Sequence, residues 1–233
     1  MGKEFEITRE VELPGTPDAV YQAVATGEGN ASWLFPSEGG GTIVNSDRPN
    51  RFTVRAEGPD GWFNQLDYRI EAHGNGAILR YVHSGVFDTE GWEDQYDAVG
   101  SHTDFYLHTL GQYLEHFSPR TATYVGGGPG GLQGPEASMT PDAFTKLQAA
   151  LGIANGAATG DKVHLAHADV DGVIDYRTDR FLGVRTDDAL YRFFGRNAFG
   201  GPVGMSIHHF GDSVDAEATG RSWQDWLASV YNV

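Results

Sequence analysis

Nine histidines and 32 carboxylates, with no cysteine, define the chemistry open to this 233-residue chain. Without Cys there can be no disulfide, thiolate nucleophile, iron–sulfur cluster or Cys-type zinc site. Asp104 and His108 are four apart, which on a helix sets a carboxylate beside an imidazole and could orient a general base. His102 and His116 flank them. His164 and His167 fall on opposite faces of a strand, and the adjacent His208 and His209 diverge as well, so neither pair is spaced to share a metal. No His-Glu-x-x-His and no two-His-one-carboxylate pattern occurs on one face, and no metal or other cofactor is expected. Ser206, in Gly204-Met205-Ser206-Ile207-His208, is one position short of a nucleophile elbow and reads as a strand serine. The Gly126–Gly131 run has no following Gly-Lys-Ser/Thr and follows no dinucleotide pattern, so it predicts no phosphate site.

The remaining chemistry is non-covalent. Trp33, Phe35, Phe52, Trp62, Tyr68, Tyr81, Phe105 and His108 bring together apolar bodies and a few polar tips. That mixture lines small-molecule cavities, although aromatic rings also fill ordinary cores. These eight are the candidate ligand-binding residues. Glu90, Glu93, Asp94 and Asp97, interleaved with Trp92 and Tyr96, read as a solvated loop ahead of a helix, or as a cavity mouth or docking edge. Sixteen basic against 32 acidic residues give a formal charge of −16, and the only lysines are Lys3, Lys146 and Lys162. A chain this acidic, with no basic cluster, is not expected to bind nucleic acid or an anionic membrane. No apolar run approaches the roughly 18 residues of a membrane span and the first ten residues hold no signal core, so a soluble, cytoplasmic protein is expected.

The elements that would position these residues follow from punctuation and periodicity. Thr16-Pro17-Asp18-Ala19 and Thr140-Pro141-Asp142-Ala143 are two copies of one helix start: a capping Thr, Pro at the first helical position, Asp in the first turn. Glycines at 27 and 152 predict where these helices stop. In the first half, strand-like runs span 4–13, 41–44, 51–56, 62–72 and 77–87. Alternation puts Trp62, Asn64, Leu66, Tyr68 and Ile70 on one face and Gln65, Asp67, Arg69 and Glu71 on the other. A sheet with one wet face predicts antiparallel pairing. A helix over about 103–117 closes this half, with Leu107, Leu110, Leu114 and Phe117 at helical spacing. The second half repeats the order more weakly, with strands at 162–168, 172–177, 180–185, 189–196 and 203–210 and a helix after Ser222 carrying Trp223, Trp226, Leu227 and Val230. Between the halves, the Gly/Pro-rich stretch 119–138 reads as a linker or long surface loop.

The opening strand, Thr-Pro-Asp-Ala-Val-Tyr-Gln-Ala-Val at 16–24, Trp33-Leu34-Phe35-Pro36, His83-Ser84-Gly85 and Tyr106-Leu107-His108-Thr109-Leu110-Gly111-Gln112-Tyr113-Leu114 resemble the bacterial relatives of the activator of Hsp90 ATPase, in the START-like (SRPBCC) helix-grip superfamily. The resemblance covers about 1–118; the second half shares only the element order. It implies an α+β fold in which a curved antiparallel sheet grips a long C-terminal helix around an apolar cavity. The expected organisation is a helix-grip domain at 1–118, a linker at 119–138 and an abbreviated second copy at 139–233. The expected function is binding of a small hydrophobic or amphipathic molecule between sheet and helix. Two other readings stay open: a co-chaperone docking on an Hsp90-type ATPase, and a cyclase- or hydrolase-like enzyme with His108 as base.

Overall fold

The alternation that begins at Lys3 becomes strand β1 (Lys3–Pro14). Thr16 then opens helix α1 (Pro17–Ala25), its hydroxyl oxygen accepting from the Ala19 amide at 3.3 Å, with Pro17 at the donor-free first position. Gly27, expected as a plain stop, instead begins a second short helix, α2 (Gly27–Ala31), because Thr26 caps it through the Gly29 amide at 3.0 Å. Strands β2 (Thr42–Asp47), β3 (Arg51–Glu57), β4 (Phe63–His73) and β5 (Gly76–Phe87) follow, and helix α3 (Trp92–His116) ends the first unit. This is a computed structural model describing residues 2–36, 41–87, 92–127, 131–212 and 214–231. Its internal contacts group into two units, 1–120 and 121–233.

In the first unit the strands are ordered β1-β5-β4-β3-β2, every neighbour antiparallel. Phe52 faces Tyr68 across β3 and β4, and Tyr68 faces Tyr81 across β4 and β5, so one face of the sheet is apolar from strand to strand. The other face holds Asp67, expected to be wet. It is 3% exposed, because Arg51 and Arg69 close over its carboxylate (2.8 and 3.0 Å) while the Thr53 hydroxyl donates to it at 2.7 Å.

Helix α3 covers the apolar face along β1, running in the same direction. The Tyr96 hydroxyl donates to the Glu6 carbonyl at 3.2 Å, Arg9 binds Asp104, a Cβ at Gly111 would lie 3.7 Å from Leu13, and Leu114 lies 4.0 Å from the Cβ position of Gly15. The lengths match: from Tyr96 to Leu114 a helix rises about 27 Å, and from Glu6 to Gly15 a strand extends about 30 Å. The helix starts at Trp92 rather than near Thr103, so Glu93, Asp94 and Asp97 belong to its first turns, where carboxylates are favoured by the helix dipole, and not to a loop. Glu90 lies outside the described residues.

The second unit contains β6 (Thr123–Val125), β7 (Leu132–Gln133), α4 (Ala143–Ala150), β8 (Lys162–Leu165), β9 (Val170–Arg177), β10 (Phe181–Arg185), β11 (Ala189–Phe194), β12 (Gly204–His209) and α5 (Ala216–Val230). Its sheet runs β6-β12-β11-β10-β9-β8, with β7 also pairing to β12. As in the first unit, the opening strand pairs with the last one, the meander returns from there, and a helix closes the chain. The protein is therefore α+β with two antiparallel sheets.

Three expectations change here. The stretch 119–138 is not all linker: β6 and β7 both pair with β12, and Glu136–Met139 forms a 3₁₀ turn. Glycine makes that possible, since Gly131 has φ +63° and its α-carbon stands where a side chain would strike the Met205 carbonyl. Thr140 does not cap α4 but donates to Asp142 at 2.9 Å, and the helix starts at Ala143. Helix α5 is capped by Asp215, which accepts from the Ala218 amide at 2.9 Å, so Ser222 lies inside the helix and meets His167 at 3.2 Å.

Helices α4 and α5 pack on one face of this sheet, where Phe144, Leu147, Trp223 and Leu227 join Tyr191, Phe193, Met205 and Ile207 in one buried cluster. On the opposite face of β11, Arg192 is 1% exposed and binds both Asp175 oxygens, at 2.8 and 3.0 Å. The pair lies over Gly183, where a bulge between β9 and β10 leaves Asp175 as the extra residue and any side chain would collide with both partners. Among the described residues, no helix is long and apolar enough to cross a membrane.

Removing one partner leaves the other charge buried, at a cost of about 3–5 kcal/mol. Asp175→Ala is therefore expected to speed hydrogen exchange sharply across β9–β11, and Asp175→Leu with Arg192→Met to restore much of the protection. Unchanged exchange in Asp175→Ala would show that the pair carries no such weight.

Candidate functional site

The apolar face of the first sheet is paved with rings in contact. Their centroids run from Tyr21 to Phe52 (6.3 Å), Tyr68 (6.3 Å), Tyr81 (5.2 Å), His83 (6.3 Å), Phe5 (5.0 Å) and Phe87 (3.8 Å). Tyr21 reaches the row from α1; period-two alternation places the other six on one side of the sheet, and the antiparallel register aligns them across strands. At the Tyr68–Tyr81 end the row is core. Burial pushes both phenols well above their ordinary range, and Tyr81 is met by the Thr103 hydroxyl from α3.

At the other end the row opens into a hollow of about 310 Å³. Phe5 comes from β1, Trp62 from just ahead of β4, Phe63 and Asn64 from its start, His83, Val86 and Phe87 from the end of β5, and Gln95 and Val99 from the first turns of α3. Gly85 shapes it: a Cβ there would sit 2.8 Å from the Phe5 ring and 2.8 Å from the Phe63 carbonyl, so only glycine lets Phe5 lie flat across β5. Outside the hollow, Arg55 stacks on Phe63 at 3.9 Å while bound to Glu57 at 2.8 Å.

His83 is the polar centre of this end. Its Nε2 lies 2.5 Å from Asn64 Oδ1, an oxygen that can only accept, so the ring donates. Nδ1 is then an acceptor, and the Asn64 amide nitrogen keeps its donors. Burial pushes the imidazole down to about 4 from an ordinary 6.5, so it is neutral at physiological pH.

Of the eight candidates from the sequence, Trp62 lines this hollow and stands at its rim, 44% exposed. Phe52, Tyr68 and Tyr81 are brought together in the buried row, and Phe105 is fully buried on α3. Trp33 is buried at the α1–α2 corner, where its indole donates to the Ala23 carbonyl at 2.9 Å. Phe35 is half-buried against Tyr106, with centroids 6.2 Å apart, and His108 is half-buried on α3. Asp104, expected beside His108, is engaged from β1: Arg9 takes both of its oxygens in a two-pronged contact of 2.5 and 3.2 Å. Phe5, Asn64, His83, Phe87, Gln95 and Val99 escaped the sequence reading. The signal that points to them is Gly85 inside an apolar strand, the mark of a close approach.

The second unit carries a hollow of about 520 Å³ on the β8–β9 hairpin, with charged walls that include Lys162, His164, Asp171, Arg185 and Asp187. His164 is held by Asp171 at 2.9 Å and by Asp169 at 3.5 Å.

No protein-family model matches the chain, and no curated protein does. Solved structures similar to it include the Aha1 dimer from Colwellia psychrerythraea, 17% identical, covering 48% of this chain and 96% of that one, with a TM-score of 0.40. CalU16 from Micromonospora echinospora is 18% identical, covering 49% of this chain and 68% of its own, with a TM-score of 0.40. BH1534 from Bacillus halodurans is 23% identical, covering 49% of this chain and all of its own, with a TM-score of 0.37.

Proposed function

We propose that the first unit is a helix-grip binding module that holds a small apolar or amphipathic molecule between the ends of β1, β4 and β5 and the first turns of α3. The observation that carries this is the hollow itself: about 310 Å³, walled by Phe5, Trp62, Phe63 and Phe87, with His83 and Asn64 as directional groups. Ligand sites have this make-up, mostly apolar with a few placed polar groups, and start at about 300 Å³. The shared element order supports reading the second unit as a duplicated copy of the first. Among the described lining residues there is no hydroxyl, amine or carboxylate to act as nucleophile, and His83, pushed down to about 4, is a weak base, so the proposal is binding rather than turnover.

The neutral fluorophore N-phenyl-1-naphthylamine tests this reading, because its emission rises in apolar surroundings. Saturable 1:1 enhancement is expected, and Val99→Trp, which fills the hollow, is expected to weaken it about tenfold or more, or about 1.4 kcal/mol. Trp62→Ala, at the rim, leaves the core intact and should weaken it less. Enhancement that survives both changes in folded protein would place the dye elsewhere. Absence of any enhancement, with a changed ATP turnover when an Hsp90-type chaperone is added, would favour docking instead.

His83 gives a second expectation. Its folded affinity for protons is lower than its unfolded one, so between pH 4 and 6.5 the unfolded chain binds more protons, and stability must fall as pH drops through that window. The loss is up to about 3 kcal/mol, complete near pH 4 and absent above 6.5. Urea titrations across this range should show the slope in the wild type and its loss in His83→Gln. Equal slopes would mean that His83 is not held neutral by burial.

A further inference from the structure

Among the described residues, nothing that lines the first-unit hollow carries a charge, although the chain is −16 overall. Two arginines near this end are bound to carboxylates, Arg9 to Asp104 and Arg55, stacked on Phe63, to Glu57, while Glu93, Asp94 and Asp97 on the first turns of α3 are exposed and outside the lining. An incoming carboxylate or ammonium would give up water and find no counter-charge among the described lining residues, which costs far more than burying a hydroxyl or amide that gains a hydrogen bond. The polar groups that are present form a donor–acceptor couple. With Nε2 of His83 donating to Asn64 Oδ1, the couple offers the Asn64 amide as donor and His83 Nδ1 as acceptor.

From this we infer that the ligand is an uncharged ring compound with one hydroxyl or carboxamide, and that the site rejects acids and amines of the same skeleton. The inference rests on the binding reading above and adds the selectivity. Size agrees: the hollow is about twice the ~150 Å³ that accommodates benzene, enough for two fused rings. Phe5 and Phe87, stacked at 3.8 Å, offer a flat wall for them. His83 stays neutral across the physiological range, so it supplies no cation for a carboxylate.

Three compounds with one skeleton test the inference: 1-naphthamide, 1-naphthoate and 1-naphthylmethylammonium, titrated into the full chain at pH 7 and followed by amide chemical shifts and calorimetry. Naphthamide is expected to shift residues around Phe5, Asn64 and His83, with both ions bound at least about tenfold more weakly. Asn64→Asp, and separately Gln95→Glu on the helix, are expected to turn the preference toward the ammonium. Naphthoate or the ammonium bound as tightly as the amide would overturn the selectivity while leaving the pocket standing. If none of the three perturbs those residues and N-phenyl-1-naphthylamine does not bind either, the pocket reading itself fails.

Discussion

A sheet with one apolar face must have that face covered, and in the first unit a single helix does it. Helix α3 lies along β1 with near-equal axial advance, anchored at its middle by Arg9 and Asp104 and at its far end by Leu13 and Leu114. That ion pair is partly exposed and worth under about 1 kcal/mol, so it sets position more than stability. The burial of Phe105, Leu110 and Leu114 holds the helix down. Contact is closed around Tyr68 and Tyr81, and a hollow remains at the strand ends beside the first turns of α3.

Two polar side chains of this unit show how such groups are accommodated. His83 stays neutral and donates to Asn64, and the Trp33 indole finds the Ala23 carbonyl. On the opposite face Asp67 shows the alternative, a buried carboxylate kept charged by two guanidiniums and a hydroxyl, which hold it below the usual carboxylate range despite desolvation. The second unit takes this to its limit in the Arg192–Asp175 pair, and Gly183 is the room it requires. Such pairs seldom add stability over apolar packing. This one sits at the bulge of β9 on β10, with Asp175 as the extra residue.

Much of the architecture was legible in the residues. Thr16-Pro17-Asp18 opened a helix, the alternation along Trp62–Ile70 divided the faces of β4, and the meander was antiparallel. Tertiary context decided the rest. Thr140 has the same neighbours as Thr16 but bonds Asp142, so an identical phrase gave a different cap. The Gly/Pro-rich stretch concealed β6 and β7, because glycine's freedom here serves close pairing with β12 rather than looseness. Asp104 was legible as a helix carboxylate but not as the partner of Arg9, which is 95 residues away. At the site, aromatic type alone pointed to the buried row, while the open end is set by where α3 begins, and Glu93 and Asp94 carry that start. Only Trp62 of the eight candidates lies in that region.

Binding as proposed requires the space bounded by Phe5, His83, Phe87 and Val99 to be open to a neutral molecule. The most direct measurement is a set of intermolecular nuclear Overhauser effects between a bound neutral naphthalene and the aromatic and methyl protons of the labelled chain. Contacts to Phe5, Trp62, Phe87 and Val99 and none to Tyr68 or Phe52 are expected. Contacts only to the β8–β9 hairpin, or only to solvent-facing side chains such as Ile43, would contradict it.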